Sequence, residues 1–409
     1  MAGLYVHIPF CKSRCIYCDF YSTTRWAEME AYVRALCHEI RERRSELPAD
    51  DRGRVCVRTI YIGGGTPSLL SSSQLASILR TIREHYAVEP DAEVTVEMNP
   101  EDWPLSNSPR GEEDSITSED KNENMGLAAL PPTGGAGRGA NRVSLGIQTF
   151  DDGLLRLLRR RHSAGRAVEA VRSLQQAGIG NISIDLIYGL PGQTLELWEH
   201  DLDVAFSLGV QHLSAYALSY ECGTALWQMR ARGEVREVAD EVEVEMYRRL
   251  CVRAREAGFE HYEISNFALP GYHSRHNSSY WTFAPYLGFG PGAHSFDGQR
   301  TRRSNRPSLD GYLLAERDAA GGTFRVPHDV EVLSDDELYD ETVMCGLRTR
   351  RGVDLCEIRD RFGVERMEYL RAMAAPHIVA GRLAVTGNRL HLQESALMIS
   401  DDVMSDLMA

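Results

Sequence analysis

The chain has 409 residues, 43% of them hydrophobic, nine cysteines and a formal net charge of −14. It is too long for one small core, and two or three domains are expected. Its acidic balance argues against nucleic acid as the main partner, because phosphate recognition needs basic surface. No apolar run approaches the ~20 residues needed to span a bilayer, so no stable membrane insertion is expected. The N-terminus carries no signal-peptide pattern, and an odd number of cysteines without a disulfide framework fits a reducing cytoplasm.

Leu4, Val6 and Ile8 alternate with other residues and predict a short strand, which Pro9 ends. A loop follows at once with Cys11, Cys15 and Cys18 in the spacing Cys-x-x-x-Cys-x-x-Cys. Three thiolates on one short loop can face a single soft metal centre. A zinc knuckle would show a second Cys-x-x-Cys pair or histidines downstream. Here Cys37, Cys56, Cys222, Cys251, Cys345 and Cys356 are scattered singly. A cubane [4Fe–4S] cluster has four irons, so three ligands leave one iron open to a substrate or cofactor.

Met29, Val33, Leu36 and Ile40 predict an amphipathic helix of roughly twenty residues. A second strand over Val57 to Ile62 runs straight into Gly63-Gly64-Gly65-Thr66-Pro67, and Leu75, Ile78, Leu79 and Ile82 mark the next helix. Strands over Glu93 to Glu97, Arg142 to Ile147, Ile182 to Tyr188 and His212 to Leu218 continue the alternation. Six strands alternating with helices imply a parallel α/β sheet with right-handed crossovers. The pattern alone leaves an open doubly wound sheet and a curved partial barrel both standing.

Residues 104–140 break this rhythm with a polar run and Pro131-Pro132-Thr133-Gly134-Gly135, and read as a disordered insertion in which Met125 to Leu130 keep a remnant helix. Val242, Met246, Leu250 and Ala254 predict a long helix. Ser334 with Glu337 forms a capping box for a helix through Leu347. Two more helical stretches and a hairpin, Leu383 to Val385 and Leu390 to Leu392 about a Gly387-Asn388 turn, make a small winged-helix-like unit. Acidic residues outnumber basic ones there, which argues against DNA binding.

In parallel α/β architectures ligands meet the C-terminal ends of strands. Glu97, Gln148 and Asp185 stand at or near such ends. Asp185 is flanked by apolar residues and needs a partner, either ribose hydroxyls or a neighbouring loop. The glycine run exposes backbone groups to a ligand, although a tight turn needs glycine too. Arg156, Arg159, Arg160, Arg161 and His162 form a dense basic cluster, read either as a solvated helix end or as an anion contact.

The cysteine loop after a first strand, with Tyr5 to Phe10 before it and Cys18-Asp19-Phe20 within it, resembles the radical S-adenosylmethionine (SAM) enzymes. It is most similar to the branch that contains oxygen-independent coproporphyrinogen III oxidase and a haem chaperone. The resemblance implies a partial (β/α)6 TIM-type barrel over residues 1–235, an α/β extension over 236–325 and the winged-helix-like domain over 326–409. It implies a [4Fe–4S] cluster on Cys11, Cys15 and Cys18. SAM would be bound by Tyr5, Tyr17, Gly64, Gly65, Thr66, Glu97, Gln148, Arg160 and Asp185. The Gly64–Thr66 turn would take the amino group, Arg160 the carboxylate and Tyr17 the adenine.

His276-Asn277-Ser278-Ser279-Tyr280-Trp281 matches a His-Asn-x-x-Tyr-Trp word of the haem-chaperone branch, making His276 a candidate haem contact. The oxidase carries a further cysteine where this chain has Phe20, and an N-terminal extension where this chain has ten residues before Cys11. Both departures favour the chaperone, with haem as cargo and recipient haemoproteins and an electron donor as partners. Decarboxylation of coproporphyrinogen III is the alternative, by a 5′-deoxyadenosyl radical attacking a propionate.

Overall fold

The computed structural model describes residues 1–103, 139–318 and 325–409. The expected insertion and its remnant helix lie outside the described residues, apart from Gly139 and Ala140. The first half of the chain runs β1 (Ala2–Ile8), α1 (Met29–Glu42), β2 (Cys56–Gly64), α2 (Ser72–His85), β3 (Ala87–Met98), β4 (Arg142–Gln148), α3 (Asp152–Leu157), α4 (Ala164–Gln176), β5 (Ile182–Tyr188), α5 (Leu195–Ser207), β6 (His212–Ala217) and α6 (Ala225–Ala231). All six expected strands form, and α1 ends at 14 residues, short of the expected length.

β1 to β6 pair in parallel in the order of the chain. The order never reverses, so there is no switch point of the doubly wound kind, and the winding is that of a partial TIM-type barrel. The period-2 pattern sorts the side chains. Ile60, Ile62, Val94 and Val96 pack outward against α1 and α2, and Val143, Leu145, Ile184, Leu186 and Leu213 against α4, α5 and the next helix. Their neighbours Tyr61, Glu97, Arg142, Ser144, Asp185 and Ser214 face inward and line a central cavity. The barrel therefore has an apolar jacket and a polar bore.

The chain continues through α7 (Asp240–Glu256), β7 (Glu260–Glu263), β8 (Asn266–Ala268), α8 (Arg275–Tyr280), β9 (Tyr286–Phe289), β10 (His294–Phe296), β11 (Thr301–Asn305), α9 (Leu309–Asp318) and β12 (His328–Val332). β9 pairs parallel with β1 and is followed by antiparallel β10, β11 and β12, while β8 and β7 extend the β6 edge, giving a 12-stranded open sheet. α8 crosses the N-terminal ends of the barrel strands. The His276 and Arg275 amides donate to the two Glu93 carboxylate oxygens, both at 3.0 Å, midway along β3 where it pairs with Thr59 of β2.

The C-terminal region comprises α10 (Asp335–Arg348), β13 (Val353–Asp354), α11 (Leu355–Phe362), α12 (Val364–Val379), β14 (Leu383–Thr386), β15 (Arg389–Leu392) and α13 (Ser400–Ser405). The Ser334–Glu337 capping box opens α10. β14 and β15 form the expected hairpin, with β13 added as a third strand. Among the described residues no helix is long and apolar enough to cross a membrane.

Candidate functional site

The cysteine loop is fastened at several points. The Cys11 amide donates to the Thr23 carbonyl (2.9 Å), and the Ile16 amide to the Leu158 carbonyl just after α3 (3.4 Å). Ile16 is buried with Leu154, Leu158, Ile187, Leu190 and Leu226, so an apolar anchor sits in the middle of the loop between the second and third cysteines. Cys11, Cys15 and Cys18 all line the central cavity, which has a volume of about 470 Å³. Burial raises the Cys11 thiol and pushes Cys18 up to about 11, and the charges of the neighbouring thiols add to both shifts.

The glycine turn presses directly against this loop. Gly64 has φ +108°, and a Cβ there would lie 2.5 Å from the His7 ring. At Gly65 a Cβ would lie 2.7 Å from the Phe10 carbonyl, 2.9 Å from the Ile8 carbonyl and 3.1 Å from the Cys11 sulfur. The turn thus needs glycine for its geometry, and the same bare backbone borders the cavity.

A chain of hydrogen bonds joins two of the thiols. Thr66 Oγ1 donates to Cys11 Sγ (3.6 Å), Asn99 Nδ2 to Thr66 Oγ1 (3.3 Å), and Arg160 Nη2 to Asn99 Oδ1 (2.7 Å). Arg160 Nη1 closes it on Cys15 Sγ at 3.5 Å. Donors to sulfur favour the thiolate, the form that ligates metal.

Gln148 carries a positive φ of 73° at a bulge between β4 and β5, an uncommon conformation for a residue with a side chain. Its surroundings hold it. Arg160 donates to the Gly146 carbonyl, and His162 contacts the Ile147 carbonyl (3.2 Å) and Glu101 (3.2 Å). Buried Asp201 accepts from Thr149 Oγ1 (2.9 Å), the Phe150 amide (2.6 Å) and Gln193 (3.2 Å). Burial raises Glu101, but the His162 hydrogen bond and the Arg160 charge outweigh it and bring the carboxylate to about 2.

Two carboxylates stand deeper in the bore. Glu97 accepts from the Tyr61 hydroxyl (2.7 Å) and the Gly64 amide (3.0 Å), and burial pushes it up to about 7. Asp185 accepts from Ser144 Oγ at 3.3 Å, and burial raises it as well. Arg142 faces both, and its charge pulls both back toward ionisation.

Eleven of the thirteen expected site residues line this one cavity: the three cysteines with Tyr17, Gly64, Gly65, Thr66, Glu97, Gln148, Arg160 and Asp185. Tyr5 stands behind Tyr61, with its hydroxyl on His7 Nδ1 (3.0 Å). His276 is not brought to the cavity. It is 1% exposed, with Nδ1 paired to Thr59 Oγ1 and Nε2 to the Tyr280 hydroxyl, both at 2.8 Å. Neither nitrogen is open to a metal in this arrangement, because the ring is spent on closing the barrel floor. Asn277, its neighbour, does border the cavity.

Sequence reasoning missed Asn99 and Arg142. Asn99 stands two residues beyond Glu97, and Arg142 is a charged residue opening a strand with buried Val143, Leu145 and Ile147, which is the signal that was available.

Among the described residues no group of three or more His, Cys, Asp or Glu converges on a single ion. A mononuclear site would require that, whereas the three ligands of a cubane hold separate irons. The donors on Cys11 and Cys15 suit cluster thiolates. The cavity volume is in the range of small-molecule sites, and the buried Arg160 and Arg142 Nε atoms lack a partner among the described residues. The residues present fit both a cluster and a charged nucleotide cofactor.

Comparison with known proteins places the Radical SAM superfamily model on residues 134–205 and the HemN C-terminal domain model on residues 333–399. The Heme chaperone HemW of Mycobacterium tuberculosis is 35% identical over 99% of this chain and 94% of its own length. That of Lactococcus lactis is 33% identical over 98% and 95%. The mouse mitochondrial radical S-adenosyl methionine domain-containing protein 1 is 36% identical over 86% of this chain and 74% of its own length. Among solved structures, coproporphyrinogen III oxidase (HemN) of Escherichia coli matches with a TM-score of 0.77 at 21% identity, covering all of this chain and 90% of that one, a likeness of fold.

Proposed function

We propose, from the premise that this chain belongs to the HemW family of the radical SAM superfamily, that it binds haem and delivers it to recipient haemoproteins with a [4Fe–4S] cluster and SAM in its barrel. The observation that carries the cofactor half is the single cavity into which the three thiols and eight of the nine expected SAM residues project. Relatives named as haem chaperones, aligned over nearly the whole chain, support the cargo half.

When bound, the cluster and SAM supply one-electron chemistry that breaks a sulfonium carbon–sulfur bond. The chain's own groups do the rest. Cys11, Cys15 and Cys18 would hold three irons, with Thr66 and Arg160 donating to two of the sulfurs. Backbone groups at Gly64 and Gly65 would take the cofactor's amino group, Arg160 its carboxylate, and Tyr17 its adenine. Asp185, steadied by Ser144, would accept from ribose hydroxyls. Glu97 and Gln148 would complete the polar wall.

The test is a pair of assays on anaerobically reconstituted protein. Haem should bind at one per chain and pass to an apo-haemoprotein, and coproporphyrinogen III should not be converted to protoporphyrinogen IX. Steady turnover to protoporphyrinogen IX would replace the chaperone with the oxidase. Failure to bind haem would remove the cargo.

A further inference from the structure

Among the described residues two arginines are buried, Arg43 at 4% exposure and Arg142 at 2%. Arg43 is fully engaged. Its Nη1 donates to Glu39 (2.9 Å) and the Gly288 carbonyl (2.6 Å), Nη2 to Ser295 (2.8 Å) and Nε to Glu46 (2.9 Å). Arg142 borders the bore, and its guanidinium has no hydrogen-bonding or ion-pair partner among the described residues. A buried cation left in this state is costly, so its place in the fold implies an anion.

The carboxylates of the bore do not supply it. Glu97 is taken by the Tyr61 hydroxyl and the Gly64 amide and Asp185 by Ser144, and neither forms an ion pair with Arg142. Arg142 opens β4, whereas Arg160 reaches in at the Gly146 carbonyl near the other end of that strand. Two further polar groups stand close to Arg142. Asn277, the second residue of the His276–Trp281 word, borders the bore, and its side-chain amide has no partner among the described residues. Thr95, the register neighbour of Arg142 on β3, carries a buried hydroxyl that is likewise unpartnered among the described residues. A guanidinium offers Nε and one Nη as a planar fork that fits two carboxylate oxygens, and a single cation matches a monoanion better than a phosphate dianion.

We propose that Arg142 and Asn277 form a carboxylate-binding site at the bottom of the bore, which takes one carboxylate group per chain alongside SAM. The inference rests on the cofactor reading above in one respect, that Arg160 and not Arg142 takes the SAM carboxylate. A small carboxylic acid and a haem propionate share the chemistry that the site recognises.

The experiment titrates acetate into the anaerobically reconstituted full chain at constant ionic strength, with and without saturating SAM, and follows binding by saturation-transfer NMR. Acetate should bind saturably, and acetamide, its neutral isostere, about tenfold more weakly. R142M should lower acetate affinity about tenfold and still fold, because it removes an unpaired buried charge. N277A, at the cavity wall, should lower it about threefold. Acetate bound equally by R142M and the unaltered protein, or not bound at all, would overturn the site. Expulsion of acetate by SAM would also overturn it, by giving Arg142 to the SAM carboxylate. Cluster absorbance that ignores SAM while acetate still binds would remove the cofactor reading and leave this site standing. Displacement of acetate by haem and not by haem dimethyl ester would identify the occupant as a propionate, and failure of both to displace it would identify a free acid.

Discussion

The two ends of the barrel use the same kinds of side chain to opposite purposes. At the floor, two copies of one arrangement close the bore. Thr59, His276 and Tyr280 join hydroxyl to imidazole to phenol at 2.8 Å on each side, and Ser183, His212 and Tyr262 repeat the pattern at 2.7 Å on each side. Burial lowers both histidines, His276 to about 3, with the Arg142 charge adding to the effect. At the mouth the polar groups run instead in an open chain from Cys11 to Cys15, and the donors end on sulfur. Polar groups satisfied pairwise rigidify a floor; groups that end on a ligand atom or stay unpaired make a site. Arg142 is the exception near the floor, since its buried Nε has no partner among the described residues.

The sharpest way to break this comparison is at the glycine turn. Gly64→Ala would force a side chain into a left-handed conformation and against His7. It should cost ~3 kcal/mol in denaturant unfolding and leave the protein with little bound iron. Stability within about 0.5 kcal/mol of the parent would show that the turn is looser than described.

His276→Ala tests the other end. Leaving Thr59 and Tyr280 buried without their partner should lower stability by about 2 kcal/mol. Haem stoichiometry in the folded protein should stay unchanged by spectroscopic titration, whereas loss of haem with stability intact would restore His276 as a ligand.

Asn99→Ala sharpens the account of the mouth. It interrupts the link between Thr66 and Arg160 and should weaken SAM binding about tenfold, near 1.4 kcal/mol, with little change in melting temperature.

A graded effect of pH is expected as well. Burial and the nearby Asp185 hold Glu97 near 7, against Tyr61, the Gly64 amide and Arg142. SAM affinity should be level above that value and fall by up to tenfold per unit below it, where the carboxylate is protonated, and E97Q should flatten the profile. For folding the sign is reversed. A carboxyl raised from 4.5 to about 7 binds more protons folded than unfolded, so its contribution declines as pH rises across that interval.

Much of the mouth was legible because its chemistry is local in sequence. The cysteine spacing, the glycine run and the strand-end residues Glu97, Gln148 and Asp185 each carry their own signal, and strand periodicity then aims them into the bore. The six strands and the Ser334–Glu337 capping box were readable for the same reason. The floor was not. His276 reads as a ligand because a histidine's partners lie far along the chain, here at Thr59, and only the packing of α8 across the strand starts brings them together. Asn99 was missed on the same ground: its role depends on Thr66 and Arg160, which approach it from two other loops.

The central claim is that Cys11, Cys15 and Cys18 hold a cluster whose remaining iron meets SAM. Electron paramagnetic resonance of the anaerobically reduced, reconstituted protein, with and without SAM, tests it most directly. The account predicts a [4Fe–4S] signal that SAM shifts and that Cys15→Ser abolishes. A signal indifferent to SAM and to that substitution, or no cluster signal at all, would contradict it.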